Sequence, residues 1–359
     1  MRLLICTQAV DSDDPVLGFF HRWIEEFAKH CESIEIICLR AGVQHLPDNV
    51  HIHSLGKEKM SANSEQRTAN RIQYVFQFWR HIWRLRGEYD AVFVHMNPEY
   101  VLLGGLLWRL WRKGVVLWYV HRQNSFTLRL AAHLVHKIAT SARGSISAKS
   151  EKIVVVGHGI DTSSFSESSV AVIDRTAPKI VTVGRISPIK SVETIVEAIA
   201  HLGERHVHAS LDIVGPTVYE GDIRYKNEIE TLVRKKNLSD RVSILPAIPN
   251  SHMPALYRKY DIAINACPTG GIDKAVLEAM AAGKLVFVCN ESFREYLGAY
   301  AEDLIFAFEN STDLAEKITT FLSREDTAAV RENMRSLARA HADVRNLIPA
   351  LLRLYDTNR

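Results

Sequence analysis

The sequence predicts an α/β protein built from two Rossmann-like domains. Three observations carry that reading. Short β-branched runs alternate with longer helical patterns through the first half of the chain, a serine-rich stretch without helical period interrupts them, and the alternation then restarts. The 359 residues suit two domains of roughly 150 residues each. The boundaries expected are 1–166 for the first domain, 167–178 for a hinge, 179–340 for the second domain and 341–359 for a C-terminal helix.

In chain order, Arg2–Cys6 (RLLIC) opens as a strand, and Leu17–His30 follows with apolar residues at helical spacing. Ile34–Leu39 and Ile52–Leu55 read as strands, 67–86 as a helix and Ala91–His95 as a strand. Val101–Arg112 is helical, Val115–His121 a strand, Leu128–His136 helical and Lys152–Val156 a strand. Ser163–Pro178 (SSFSESSVAVIDRTAP) is the break, ending at proline. Strands at Ile180–Val183, Ala209–Val214, Val242–Leu245, Ile262–Ala266 and Leu285–Cys289 then alternate with helices at Val192–Leu202, Tyr225–Lys236, His252–Tyr260 and Ala275–Ala282. Arg345–Tyr355 is a last amphipathic helix that Pro349 is predicted to kink.

Composition narrows the class. The chain is 47% hydrophobic and 24% charged, enough apolar content for a sizeable core. Its net charge of +3 is too small for a dedicated nucleic-acid binder. That figure hides an asymmetry: 67–150 holds thirteen Lys/Arg against Glu88, Asp90 and Glu99, a local +10, so the remainder sums to −7. Five of the six tryptophans (Trp79, Trp83, Trp108, Trp111, Trp118) lie in the same stretch. Five cysteines without a C-x-x-C pair fit a reduced cytoplasmic protein better than a disulfide scaffold or zinc ribbon. The N-terminal apolar run is too short for a signal peptide, and Arg109, Arg112 and Lys113 break the longest apolar stretch, so no membrane span is expected.

Two facing Rossmann-like sheets would bind ligands in the cleft at their carboxyl edges. The first loop, TQAVDSDDPVLG, lacks G-x-G-x-x-G, and no Walker A motif occurs, which argues against a dinucleotide or a P-loop. The second half offers two better signals. Gly184–Lys190 (GRISPIK) follows a clean strand and precedes a helix, which places Gly184, Arg185 and Lys190 where a diphosphate would sit; solvated surface cations are the alternative. Pro268–Gly283 (PTGGIDKAVLEAMAAG) puts Gly270 and Gly271 between strand and helix, with amides able to face an anion. Glu278 lies about a turn into that apolar helix, where it needs hydrogen-bond donors. A ribose diol would supply them; a partly exposed helix glutamate is the rival reading.

These segments resemble a known family. GRISPIKSVETIVEAI, LDIVG, RVSILPAIP, MPALYRKYDIAINACP and VLEAMAAGKLVFV stand in the order seen in retaining glycosyltransferases of family 4, which have the GT-B fold, and VVVGHGIDTSSF is similar to the stretch before that family's interdomain linker. The resemblance covers essentially all of the second domain and, faintly, the first. It implies a metal-independent hexosyltransferase that binds a UDP- or GDP-sugar mainly on the second domain and an acceptor on the first, with the C-terminal helix free to return to the first domain. Arg185 and Lys190 would hold the diphosphate, and Glu278, with the neighbouring Leu277, would border the ribose. Pro246 and Ile248 would flank the base. No metal and no cofactor beyond the donor substrate are implied.

The chain departs from the pattern in places. The first glutamate of the family's E-x7-E falls at Gly270, and Asp273 and Lys274 are the candidates to replace its contacts with the transferred sugar. The glycine-rich first loop is reduced to Gly18, expected near the diphosphate, behind Asp11, Asp13 and Asp14. His158 replaces the usual asparagine and reads as a turn residue. His121 is the candidate histidine against the donor sugar, with His95 as its rival. Retention without an enzyme nucleophile suits front-face attack, the departing phosphate taking the acceptor proton.

The acid-free run RTANRIQYVFQFWRHIWRLR at 67–86 has two readings, an ordinary amphipathic helix with arginines in water or a helix that meets an anionic membrane. The function expected is a cytoplasmic transferase, with peripheral membrane contact on the second of these readings, that moves a hexose to a glycan or lipid-linked acceptor. No nucleic-acid partner is expected. A non-catalytic nucleotide-sugar-binding protein, motivated by Gly270, and another GT-B enzyme such as an epimerase are the alternatives.

Overall fold

A computed structural model describes the chain except for residues 15, 60–65, 122–124, 166–171, 269–270 and 357–359, and except for the side chains of 59 and 66–70. The chain divides into two compact units, Met1–Gly159 with Val344–Arg359, and Ile160–Asp343.

The first unit is a seven-stranded, all-parallel sheet. Its strands are β1 (Arg2–Val10), β2 (Ser33–Ala41), β3 (Val50–Ser54), β4 (Ala91–His95), β5 (Gly114–Trp118), β6 (Lys137–Thr140) and β7 (Ile153–Val155), in the order β3-β2-β1-β4-β5-β6-β7. The central strands read as unbroken apolar runs because both faces are covered. On one face lie α1 (Gly18–Ala28) and α13 (Val344–Arg353), where Phe20, Trp23 and Phe27 pack with Leu347, Ile348 and Leu351. On the other lie α2 (Gln66–Arg84), α3 (Pro98–Leu110) and α4 (Phe126–Leu134), contributing Phe78, Ile82, Trp108 and Leu128. The chain order reverses direction between β1 and β4, the switch point where Rossmann-like sheets open a ligand crevice.

The second unit repeats the plan with five parallel strands, β8 (Lys179–Val183), β9 (Ser210–Val214), β10 (Val242–Leu245), β11 (Ile262–Asn265) and β12 (Leu285–Val288), ordered β10-β9-β8-β11-β12. Its helices are α5 (Val192–Glu204), α6 (Glu220–Lys235), α7 (Met253–Tyr257), α8 (Lys274–Ala281), α9 (Arg294–Leu297), α10 (Ala301–Leu304), α11 (Ser311–Ser323) and α12 (Thr327–Ala342). Here the switch point lies between β8 and β11.

Three details differ from the sequence reading. KIAT at β6 forms a strand, although four residues give no readable period; it is inserted between β5 and β7 with three of its four residues buried. The first boundary falls at Gly159, ahead of the serine-rich stretch, because Ile160 bridges to Asp343, Thr162 hydrogen-bonds the Asp343 carboxylate, and Phe165 packs on Tyr257. Finally, the C-terminal helix α13, with Pro349 inside it, ends at Arg353 rather than Tyr355, and the Tyr355 hydroxyl beyond it donates to the Val92 carbonyl at 2.8 Å.

Candidate functional site

The carboxyl edge of the second sheet is shaped first by glycine. Gly184 (φ +148°) ends β8 and Gly215 (φ +157°) ends β9. A Cβ on Gly215 would sit 1.9 Å from the Gly184 carbonyl oxygen, so the two loops touch backbone to backbone and no side chain fits there. Gly184 was expected at this edge. Gly215 was not singled out, although a glycine closing LDIVG carries the same signal.

Arg185 follows Gly184. Its guanidinium lies 5.2 Å from the Tyr219 ring centre, and its Nε is 3.8 Å from Asp222. Asp222 is itself fixed, because its Oδ2 accepts the amides of Val218 (3.0 Å) and Tyr219 (3.1 Å) at the start of α6. With 38% of its side chain exposed, Arg185 is held at its base and open at its tip.

Lys190 closes the short 3-10 turn Pro188–Lys190. Its Nζ donates to Asp273 Oδ2 at 2.5 Å. The same oxygen accepts Asn265 Nδ2 at 2.8 Å, while Asp273 Oδ1 caps α8 through the Ala275 amide at 3.2 Å. Burial pulls the Lys190 ammonium down, but Asp273 lifts it by more, and the net shift is upward. Asp273 moves the other way: burial raises its carboxyl, Lys190 and Asn265 lower it further, and it stays ionised. The Asp273 carboxylate is thus already engaged by a lysine, an asparagine and a helix end, and it holds Lys190 in place.

Glu278 is buried, which removes the partly exposed alternative. Lys274 Nζ lies 2.9 Å from its Oε1 across one helical turn, so a residue of this chain already supplies one of the donors that the buried carboxylate needs. The Leu277 side chain is fully buried in the core, so its backbone is the part that can face a ligand. Gly271 stands just before α8, its carbonyl 3.5 Å from Asn290 Nδ2. Gly270 lies outside the described residues. Pro246 is exposed and Ile248 half-buried just past β10, at the same edge. Asn265 and Asn290 are buried polar residues at this edge that the sequence reading missed; each follows or ends a strand in an apolar context, which is the usable signal.

The first unit has its own cavity of about 1070 Å³ at the switch point between β1 and β4, bordered by Gln8, Asp14, Arg40, Asn97, Glu99 and His121 among others. Met96, after β4, adopts φ +66°, a left-handed conformation of the kind that collects at functional sites. His121 is exposed at this cavity, whereas His95 borders it almost wholly buried. His95 stacks on Phe20 at 3.9 Å and meets Thr7 Oγ1 at 3.3 Å; burial, with His158 adding to it, pulls the imidazole down to about 3 and keeps it neutral. Of the two histidines, His121 is the one able to reach a bound molecule. His158 is packed among Phe19, Trp23 and Trp118.

Gly18, expected near the diphosphate, has its amide occupied. It is buried, its amide donates to the Asp14 carbonyl at 2.9 Å, and a Cβ would come within 2.7 Å of the Ser12 carbonyl oxygen. It is a packing glycine with no amide to offer a diphosphate. The neighbouring amides of Val16 and Leu17 donate to Asp14 Oδ1 at 2.8 and 2.7 Å, and Arg40 pairs with the same carboxylate. Among the described residues, no group of three or more His, Cys, Asp or Glu is placed to hold a metal ion.

Residues 165–341 match the model of the glycosyl transferases group 1. No curated protein matches the chain. Among solved structures, the chain is similar to HepE of Anabaena in complex with UDP, at TM-score 0.77 and 16% identity, over 99% of this chain and 100% of that one. Sucrose-phosphate synthase of Thermosynechococcus elongatus gives 0.76 and 16%, over 99% and 98%. WaaG, a glycosyltransferase involved in lipopolysaccharide biosynthesis, gives 0.65 and 15%, over 98% and 99%. The shared architecture is the GT-B fold.

Proposed function

We propose that the chain, whose residues 165–341 match the glycosyl transferases group 1 model, is a retaining, metal-independent transferase that moves a hexose from a UDP- or GDP-sugar to a glycan or lipid-linked acceptor. One observation carries the reading. Two cations, Arg185 and Lys190, are braced by Asp222 and Asp273 at a glycine-built strand edge where a diphosphate could approach backbone closely. HepE, of like fold, was solved with UDP-glucose, which agrees with a nucleotide-sugar donor.

In this mechanism the bond from the anomeric carbon to the diphosphate oxygen breaks while the acceptor oxygen bonds to that carbon on the same face. The acceptor proton passes to the departing phosphate, leaving glycosylated acceptor and nucleoside diphosphate. Negative charge grows on the leaving group, so fixed cations stabilise the transition state more than the ground state. Glu278 accepts the ribose hydroxyls, the backbone around Pro246–Ile248 flanks the base, and Lys274 and Gly271 border the sugar and phosphates. His121 contacts the transferred sugar, and the first unit's cavity takes the acceptor. The enzyme works in the cytoplasm, at the inner face of the membrane when its acceptor is lipid-linked.

Thermal unfolding with UDP, GDP and their sugars tests donor binding; a true ligand at 100 times its Kd adds about 2.7 kcal/mol. Release of nucleotide in the presence of acceptor, lost in Arg185→Ala and Lys190→Ala, supports transfer. Binding without turnover across a broad acceptor panel favours instead a nucleotide-sugar-binding protein, the reading that Gly270 in place of glutamate motivates.

A further inference from the structure

The helical layer of α2, α3 and α4 carries apolar side chains on the wrong side. Its inner surface already buries Phe78, Ile82, Trp108 and Leu128 against the sheet. Yet its outer surface exposes Phe76, Trp79 and Trp83 on α2, Leu106 (69%) and Leu110 (76%) on α3, and Phe126 (68%) on α4. On α2 the exposed three fall at i, i+3 and i+7, one stripe of a helix. The stripes are joined into one surface. Trp79 Nε1 donates to the Leu103 carbonyl of α3 at 2.9 Å, Trp83 meets Trp111 edge-on at 5.7 Å, and Gly105 of α3 lies where a Cβ would touch Leu134 of α4 at 3.0 Å.

Charge on this layer is mostly positive. Arg80, Arg84, Arg109, Arg112 and Arg129 are exposed among these apolar groups. Of the three acids in the stretch, Asp90 is bound to Arg2 at 2.8 Å and Glu99 borders the cavity, which leaves Glu88. Tryptophan and leucine interleaved with arginine match a surface that is apolar inside and anionic outside. No described helix is long and apolar enough to cross a membrane, so the layer would lie on it. Phe126 stands between Ser125 and Thr127, both of which border the cavity, so the apolar surface reaches the cavity mouth.

We propose that the outer face of α2, α3 and α4 seats the N-terminal unit on an anionic lipid bilayer, and that a lipid-anchored acceptor reaches the cavity past Phe126. The second clause rests on the cavity being the acceptor site; the first does not.

The test is sedimentation with phosphatidylcholine vesicles, with and without phosphatidylglycerol. The wild type sediments with the anionic vesicles and is released as salt shortens the screening length. Arg80→Gln with Arg109→Gln lowers the partition coefficient about 30-fold, from about 1 kcal/mol per cation. Leu106→Ser, Leu110→Ser and Phe126→Ser together lower it roughly 100-fold, while Val172→Ser, an exposed apolar residue of the other unit, leaves it unchanged. Equal binding to neutral vesicles, no binding to either, or loss of self-association rather than of vesicle binding in the triple variant overturns the proposal. A UDP-induced thermal shift measured on every variant separates the two readings: retained with vesicle binding absent, it leaves the donor assignment standing and removes the membrane face.

Discussion

The two sheet edges share strand order and treat anions in opposite ways. At the start of α1 the amides of Val16 and Leu17 are occupied by the chain's own Asp14 carboxylate, which Arg40 backs. At the second sheet's edge the acids pair with cations instead: Asp222 lies 3.8 Å from Nε of the part-exposed Arg185, and Asp273 accepts from Lys190 Nζ. At the first edge the loop amides are therefore satisfied from within beside an open cavity, and at the second the acids are spent on cations. The same fold gives a self-satisfied loop or a ligand site according to whether its acids sit on the amides or behind the cations.

The largest break comes from Gly215→Ala. Its Cβ would collide with the Gly184 carbonyl at a backbone angle that side chains rarely adopt, so the second unit should lose several kcal/mol and its nucleotide response together. Gly18→Ala, closer to tolerance at 2.7 Å, should cost less in urea unfolding and leave UDP binding intact. Equal losses would erase the contrast. Next, Lys190→Ala should reduce turnover by about 10² to 10³. Asp273→Asn should reduce it less, because the lysine remains while its brace weakens. A turnover unchanged in Lys190→Ala removes the diphosphate role.

Acid sharpens the comparison from the other side. The folded His95 titrates at about 3, below the 6.5 of an unfolded histidine, so the unfolded state binds the proton first as pH falls. Stability from this group is complete above pH 6.5 and is lost below it, by about 2 kcal/mol at pH 5. Urea midpoints of wild type and His95→Gln should converge in slope if another group governs. The smallest effect expected is from Asp14→Ala, which removes the acceptor of the two loop amides ahead of α1 and should lower stability by about 1 to 2 kcal/mol with donor affinity unaltered. Tighter UDP binding in that variant would mean the freed amides belong to the donor site after all.

The alternation of strand and helix was legible because the central strands are unbroken apolar runs such as Val115–Trp118. KIAT was not, since four residues flanked by histidine and serine carry no period. The Lys190–Asp273 pair joins residues 83 apart, and only the fold brings the ends of β8 and β11 to one edge. The Lys274–Glu278 pair was in plain view at i, i+4, but a glutamate in AVLEAMAA drew attention to an external partner and away from the lysine one turn earlier.

α13 gives the first unit a late-arriving part. Leu347, Ile348 and Leu351 complete the face that Phe20 and Trp23 begin, yet they follow the whole of the second unit in the chain. During synthesis at the ribosome the second unit, continuous from Ile160 to Asp343, can finish folding while the first still shows a bare tryptophan-lined face. The first unit's core is thus closed by the part of the chain translated last, and a cut or truncation after Asp343 would bare Phe20 and Trp23.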